Sequence, residues 1–239
     1  MHGFPLFLLL ALLAGCASPP ASLPPEAGAR EFRPPEAASG FNAKDGWQGE
    51  RFAIASAHPL ASEAGAEVLR AGGSAIDAAI AAQMVLTLVE PQSSGIGGGA
   101  FLLHYDGRQT IAYDGRETAP AAVDESLFLE ADGKPLSFQR AIAGGRAVGV
   151  PGTVRMLEMA HAEHGRLPWA RLFAPAIRLA EKGFPVSQRL HTLLAKEPLL
   201  RREQDARAYF YTPDGLPLPA GSQLRNPALA DVLRRLAGE

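Results

Sequence analysis

Three groups of residues have types and spacings suited to chemistry. Arg116 and Glu117 follow Asp114-Gly115 at the end of the strand-like run Gln109-Thr-Ile-Ala-Tyr113. An arginine at a strand end can offer a planar fork of donors to a carboxylate. Taken alone, its neighbour Glu117 makes a surface ion pair the default reading. Gly95-Ile96-Gly97-Gly98-Gly99-Ala100 formally satisfies G-x-G-x-x-[GA]. That fingerprint needs its glycines to leave a strand and open a helix whose amides hold a pyrophosphate. Here a helix-like run precedes and a strand-like run follows, so a dinucleotide site is not expected. The glycines instead suit a tight helix-to-strand crossing, where backbone approaches backbone or amides surround an anion. His161-Ala-Glu-His164 has i, i+3 spacing without a third ligand nearby and is not H-E-x-x-H, so it reads as an exposed helix face and not a zinc site. His58 and His104 lie in apolar surroundings and read as core histidines. Neither a G-x-S-x-G elbow nor a P-loop occurs.

The elements that must position these residues are legible from capping and periodicity. Arg51–Ala57 is short and alternating, which suggests a buried strand. Pro59 opens a helix that Gly72-Gly73 stops. Ser74 with Asp77 makes a capping box for a second helix, Ala75 to Val89, which is apolar on nearly all faces and therefore buried. Asp106-Gly107 between two alternating runs predicts a β-hairpin over residues 100–113. Residues 123–142 suggest a short helix and a polar turn. Further helices are expected from Thr153 to His164, Pro168 to Lys182, Ser187 to Lys196 and Asn226 to Leu236.

Composition narrows the function classes. The chain has 239 residues, 47% hydrophobic and 20% charged, which is globular. A formal net charge of −2 excludes the basic excess of a nucleic-acid binder. A single cysteine, Cys16, excludes an intrachain disulfide and a cysteine-based zinc site. Residues 1–15 read as a lipoprotein-type signal peptide, with an apolar run over 4–15 but without the usual N-terminal Lys or Arg. Leu13-Ala14-Gly15-Cys16 resembles a bacterial lipobox, which implies lipidation of Cys16 and a lipid anchor at the cell envelope, facing the periplasm; the alternative is an ordinary secretory signal with an incidental cysteine. Residues 16–46 are rich in Pro and Ala, with three Pro-Pro pairs, and read as a tether. The domain is expected over residues 47–239.

Five blocks in order then resemble the N-terminal part of the γ-glutamyltranspeptidase family. They are Ala71-Gly-Gly-Ser-Ala-Ile-Asp-Ala-Ala79, Pro91-Gln-Ser-Ser-Gly-Ile-Gly-Gly-Gly-Ala-Phe101, Asp114-Gly-Arg-Glu-Thr-Ala-Pro120, Gly149-Val-Pro-Gly-Thr-Val154 and Leu179-Ala-Glu-Lys-Gly-Phe184. The resemblance implies an α/β fold, specifically the large-subunit portion of an N-terminal-nucleophile hydrolase αββα sandwich. It implies a precursor that cuts itself in two, whose new N-terminal threonine attacks the γ-glutamyl amide of glutathione or related compounds. The glutamyl group then passes to water or to an amine.

The same resemblance assigns Arg116 to the α-carboxylate of the γ-glutamyl group. It implies no cofactor and no metal. The family's nucleophilic threonine lies in the small subunit, and no threonine here (87, 110, 118, 153, 192, 212) stands in its Thr-Thr-His/Ser setting. The expectation is therefore a chain without the catalytic residue, needing the small-subunit half as partner and leaving a sheet face for it to cover. Two other readings stay open: a related acylase of cephalosporin or glutaryl type, and a catalytically inert lipoprotein scaffold.

Overall fold

A computed structural model of the chain describes residues 48–142 and 144–238. Cys16, the signal-like run and the tether lie outside the described residues. The fold is mixed α/β: α1 (Pro59–Arg70), α2 (Ala75–Val89), the strands β1 (Ala100–Tyr105) and β2 (Thr110–Gly115), α3 (Phe138–Ile142) and α4 (Thr153–His164). There follow α5 (Ala174–Lys182), β3 (Phe184–Pro185), α6 (Gln188–Lys196), α7 (Gln204–Phe210), β4 (Gln223–Leu224) and α8 (Pro227–Ala237).

Helix α2 is the centre of the core because its sequence offers no polar face to solvent. Ile80, Met84, Val85, Leu88 and Val89 are all buried. Its start is held by the capping box: Ser74 Oγ accepts from Asp77 N at 3.1 Å, and Ser74 N donates to Asp77 Oδ2 at 2.9 Å. Gly65 of α1 lets that helix lie close to α2, since a Cβ there would stand 3.0 Å from Ala78 O. Around α2 pack α1, α4, α5 and the 3₁₀ turn Trp169–Phe173, whose Trp169 Nε1 donates to Leu236 O of α8 at 2.8 Å.

Two expectations require correction. Arg51–Ala57 is not a strand. Its burial alternates as a strand's would, with Ile54 against the core, but no neighbouring strand among the described residues receives its backbone bonds. The expected helix from Pro168 to Lys182 is two pieces, a 3₁₀ turn over Trp169–Phe173 and then α5. Pro175, lacking an N–H, cannot make the bond to residue 171 that one continuous helix would need. Helix α7 was not expected, being seven residues of mixed polarity without a side-chain cap.

His58 is a helix cap more than a core residue. Its Nδ1 accepts from Leu60 N at 3.2 Å at the start of α1, and burial lowers its pKa below the ordinary imidazole value. The unfolded chain therefore takes up the proton first, so this contribution to stability is complete above the ordinary value of about 6.5 and fades as pH falls below it. Protonation also removes the acceptor that caps α1. Thermal unfolding at pH 7.5 and pH 5 is expected to show an acid loss that His58→Asn, a cap without titration, reduces. An identical loss in that variant would overturn the assignment.

Candidate active site

The hairpin β1–β2 pairs antiparallel with Ala100 opposite Gly115, so Gly99 and Arg116 face each other just beyond the paired residues. The turn is fixed by Asp106, whose Oδ1 accepts from Arg108 N and Gln109 N. These bonds also hold its carboxyl below the usual pKa. At the other end, Asp114 Oδ1 accepts from Arg116 N at 2.8 Å and so shapes the exit of β2.

The glycine loop is anchored to the start of α4 through one carbonyl. Gly98 O accepts from Gly152 N at 3.1 Å, Thr153 N at 3.2 Å and Thr153 Oγ1 at 3.0 Å. The loop follows a helix and enters a strand, which is the wrong order for a dinucleotide site and agrees with a tight crossing. Gly115 and Gly152 make the crossing possible. A Cβ on Gly152 would stand 2.3 Å from Gly115 O, and one on Gly115 would stand 2.6 Å from Met156 Cβ. These contacts place loop, β2 exit and α4 start against one another with Arg116 at their edge. The Arg116 side chain is 62% exposed and pairs with Glu117 Oε1 at 3.3 Å. Its remaining donors can receive an external carboxylate, the contact for which a guanidinium fork is suited.

Phe101, Leu103 and Tyr105 alternate along β1 and stand 69%, 73% and 66% exposed on one face of the hairpin. Three large apolar side chains in a row are an unusual thing to leave in water.

The histidines behave differently from the expectation of an exposed face. His161 and His164 are both mostly buried. His161 Nε2 donates to Leu167 O at 2.9 Å and lies 3.5 Å from Asp77 Oδ1. His164 stacks on His104 with ring centroids 4.0 Å apart. Tyr113 O–H lies 2.7 Å from Glu163 Oε2, to which it donates, and 2.8 Å from His164 Nε2. Desolvation first, and the Glu163 carboxylate second, push the Tyr113 phenol up to about 12, so it stays a donor. This cluster ties the last turn of α4 to the hairpin that carries Arg116. Residue spacing carries no signal for it, because its partners are about fifty residues apart. Among the described residues, no group of three His, Cys, Asp or Glu side chains could hold a metal ion. Nor is any described helix long and apolar enough to cross a membrane.

The family model for gamma-glutamyltranspeptidase matches residues 61–239, from α1 through α8. The chain belongs to the γ-glutamyltranspeptidase family. Among relatives of this γ-glutamyltranspeptidase-family chain, the glutathione hydrolase proenzyme of Bacillus subtilis (strain 168) is 44% identical over 185 residues, covering 76% of this chain and 31% of the relative. Glutathione hydrolase 2 of Arabidopsis thaliana is 39% identical over 187 residues, covering 77% and 31%. Hence the chain spans about a third of the length of these curated relatives. The γ-glutamyltranspeptidase of Helicobacter pylori superposes with a TM-score of 0.76 at 33% identity, covering 81% of this chain and 56% of that one. A cephalosporin acylase of Bacillus halodurans superposes at 0.64 with 34% identity, covering 75% and 34%. The fold is thus that of the N-terminal-nucleophile γ-glutamyltranspeptidases and their acylase relatives.

Proposed function

We propose that this chain supplies the donor-binding arm of a γ-glutamyltransferase/glutathione hydrolase. Arg116 takes the α-carboxylate of the γ-glutamyl group of glutathione or a related compound. The N-terminal threonine of the small-subunit half attacks the γ-carbonyl, its own α-amine accepting the hydroxyl proton. Backbone amides hold the resulting oxyanion. The amine leaves with that proton, and water or a second amine then releases the glutamyl group. The observation that carries this reading is the exposed Arg116 guanidinium, fixed at the β2 exit beside a glycine loop that α4 holds in place.

The exposed row Phe101, Leu103 and Tyr105 supports the need for that second half, which would cover it. A related acylase shares the fold, and a glutaryl donor also carries a carboxylate; it is the Asp114–Glu117 block as a whole that favours an α-amino-acid donor. The lipobox-like run ending at Cys16 supports a lipid-anchored protein of the bacterial envelope, facing the periplasm.

The test is steady-state kinetics of the complete two-subunit enzyme on γ-glutamyl-p-nitroanilide. A charge-assisted bond to a carboxylate is worth roughly 1.5–3 kcal/mol, so Arg116→Lys is expected to raise KM by about tenfold or more. An unchanged KM would remove Arg116 from the donor site.

A further inference from the structure

The two carboxylate oxygens of Glu117 have unlike surroundings. Oε1 meets Arg116 Nη1 at 3.3 Å. Oε2 is shut off from solvent and has no hydrogen-bond partner among the described residues. A buried acceptor without a donor is unfavourable, so the seat must be imposed by what surrounds it. Two glycines impose it. A Cβ on Gly99 would stand 2.0 Å from Oε2 and 2.7 Å from Glu117 N, and one on Gly149 would stand 3.0 Å from Glu117 Cγ. Neither glycine has a positive φ. Glycine at both places therefore leaves room for Glu117 and for the backbone beside it, Arg116 Cα at Gly99 and Thr118 O at Gly149, each 3.0 Å from such a Cβ. The next residue is clamped as well: Thr118 and Val150 exchange both backbone bonds, at 3.3 and 2.8 Å. A fixed carboxylate thus stands beside a mostly exposed guanidinium whose side chain has no other partner among the described residues.

We infer that Glu117 is the positioning residue for Arg116. It holds the guanidinium by Nη1 and leaves the Nε and Nη2 edge turned toward the donor's α-carboxylate. The inference rests on the donor-binding reading of Arg116 given above. Two effects of Glu117 oppose each other. Its charge repels an incoming carboxylate, while its hold on Nη1 removes rotamer freedom that binding would otherwise have to remove. The inference takes ordering to outweigh repulsion, so KM should rise when the hold on Nη1 is lost.

The experiment compares wild type, Glu117→Gln, Glu117→Asp and Arg116→Lys in the complete two-subunit enzyme, with γ-glutamyl-p-nitroanilide as donor. Glutamine keeps the shape and loses the charge, and aspartate keeps the charge but withdraws it from Arg116 by one methylene. Both are expected to raise KM about five- to tenfold with kcat within about twofold, a cost near 1–1.4 kcal/mol at the binding step only. Subunit cleavage should remain complete in both. An unchanged or lowered KM in Glu117→Gln would overturn the inference, since repulsion or mere packing would then dominate. Loss of cleavage together with kcat in both variants would also overturn it, because the role would then be structural. Arg116→Lys separates the two levels. If it raises KM while Glu117→Gln does not, only the positioning role falls; if it leaves KM unchanged, the donor-binding reading falls first.

Discussion

Asp77→Ala is expected to lower the stability of the chain by about 3–5 kcal/mol, the range for removing a buried charged partner that holds several groups. Asp77 is wholly buried. Its Oδ2 accepts from Ser74 N at 2.9 Å, Arg166 N at 2.9 Å and Leu167 N at 3.0 Å. One atom therefore completes the cap of α2 and also fastens the segment after α4, ninety residues away, to the start of the core helix. Alanine would improve helix propensity slightly, but it would leave three N–H groups without their acceptor. Domains of this kind have total stabilities of about 5–15 kcal/mol, so the loss is a large share of the whole. Urea unfolding checks it, with an unchanged slope and a lowered midpoint. Asp77→Asn, which keeps one oxygen for the same donors, should lose less than half as much. An alanine variant within about 1 kcal/mol of wild type would show that the three bonds are replaced by others.

Asp77 also shows what sequence can and cannot convey. Ser74 and Asp77 three residues apart announce a capping box, and the structure has it. The bonds to residues 166 and 167 are invisible at that level, because nothing local marks a loop that folds back across ninety positions. The hairpin, α2 and the Asn226-capped α8 were legible for the same reason as the box: each is set by residues within a few positions. Arg51–Ala57 failed because a strand exists only by its partner, and alternation alone cannot supply one. The site divides similarly. Arg116 could be singled out by residue type and motif, while the burial of Glu117 Oε2 depends on Gly99 and Gly149, which lie on separate segments. Two glycines flanking a motif glutamate in space leave no spacing to read. His161 and His164, read as an exposed face, are instead packed against residues from α2 and the hairpin.

The crossing that seats Arg116 should tolerate no side chain at Gly152. A Cβ there would stand 2.3 Å from Gly115 O, 2.7 Å from Gly115 C and 3.0 Å from Arg116 O, all backbone atoms in the exit of β2. Flexible side chains can rotate away from such a contact, whereas a strand can relieve it only by moving. Moving β2 away from α4 would stretch the Gly152 and Thr153 bonds to Gly98 O that anchor the glycine loop. Gly152→Ala is therefore expected to cost about 3 kcal/mol, the upper end for over-packing, and Gly152→Val more. Gly97 is the internal control. A Cβ there meets nothing within 4 Å and its φ is not in the left-handed region, so Gly97→Ala should stay within about 0.5 kcal/mol of wild type. Denaturant midpoints of the two alanine variants decide the matter. Equal stability would mean that the α4–β2 approach is not rigid, and the fixed seat assigned to Arg116 would lose its physical basis.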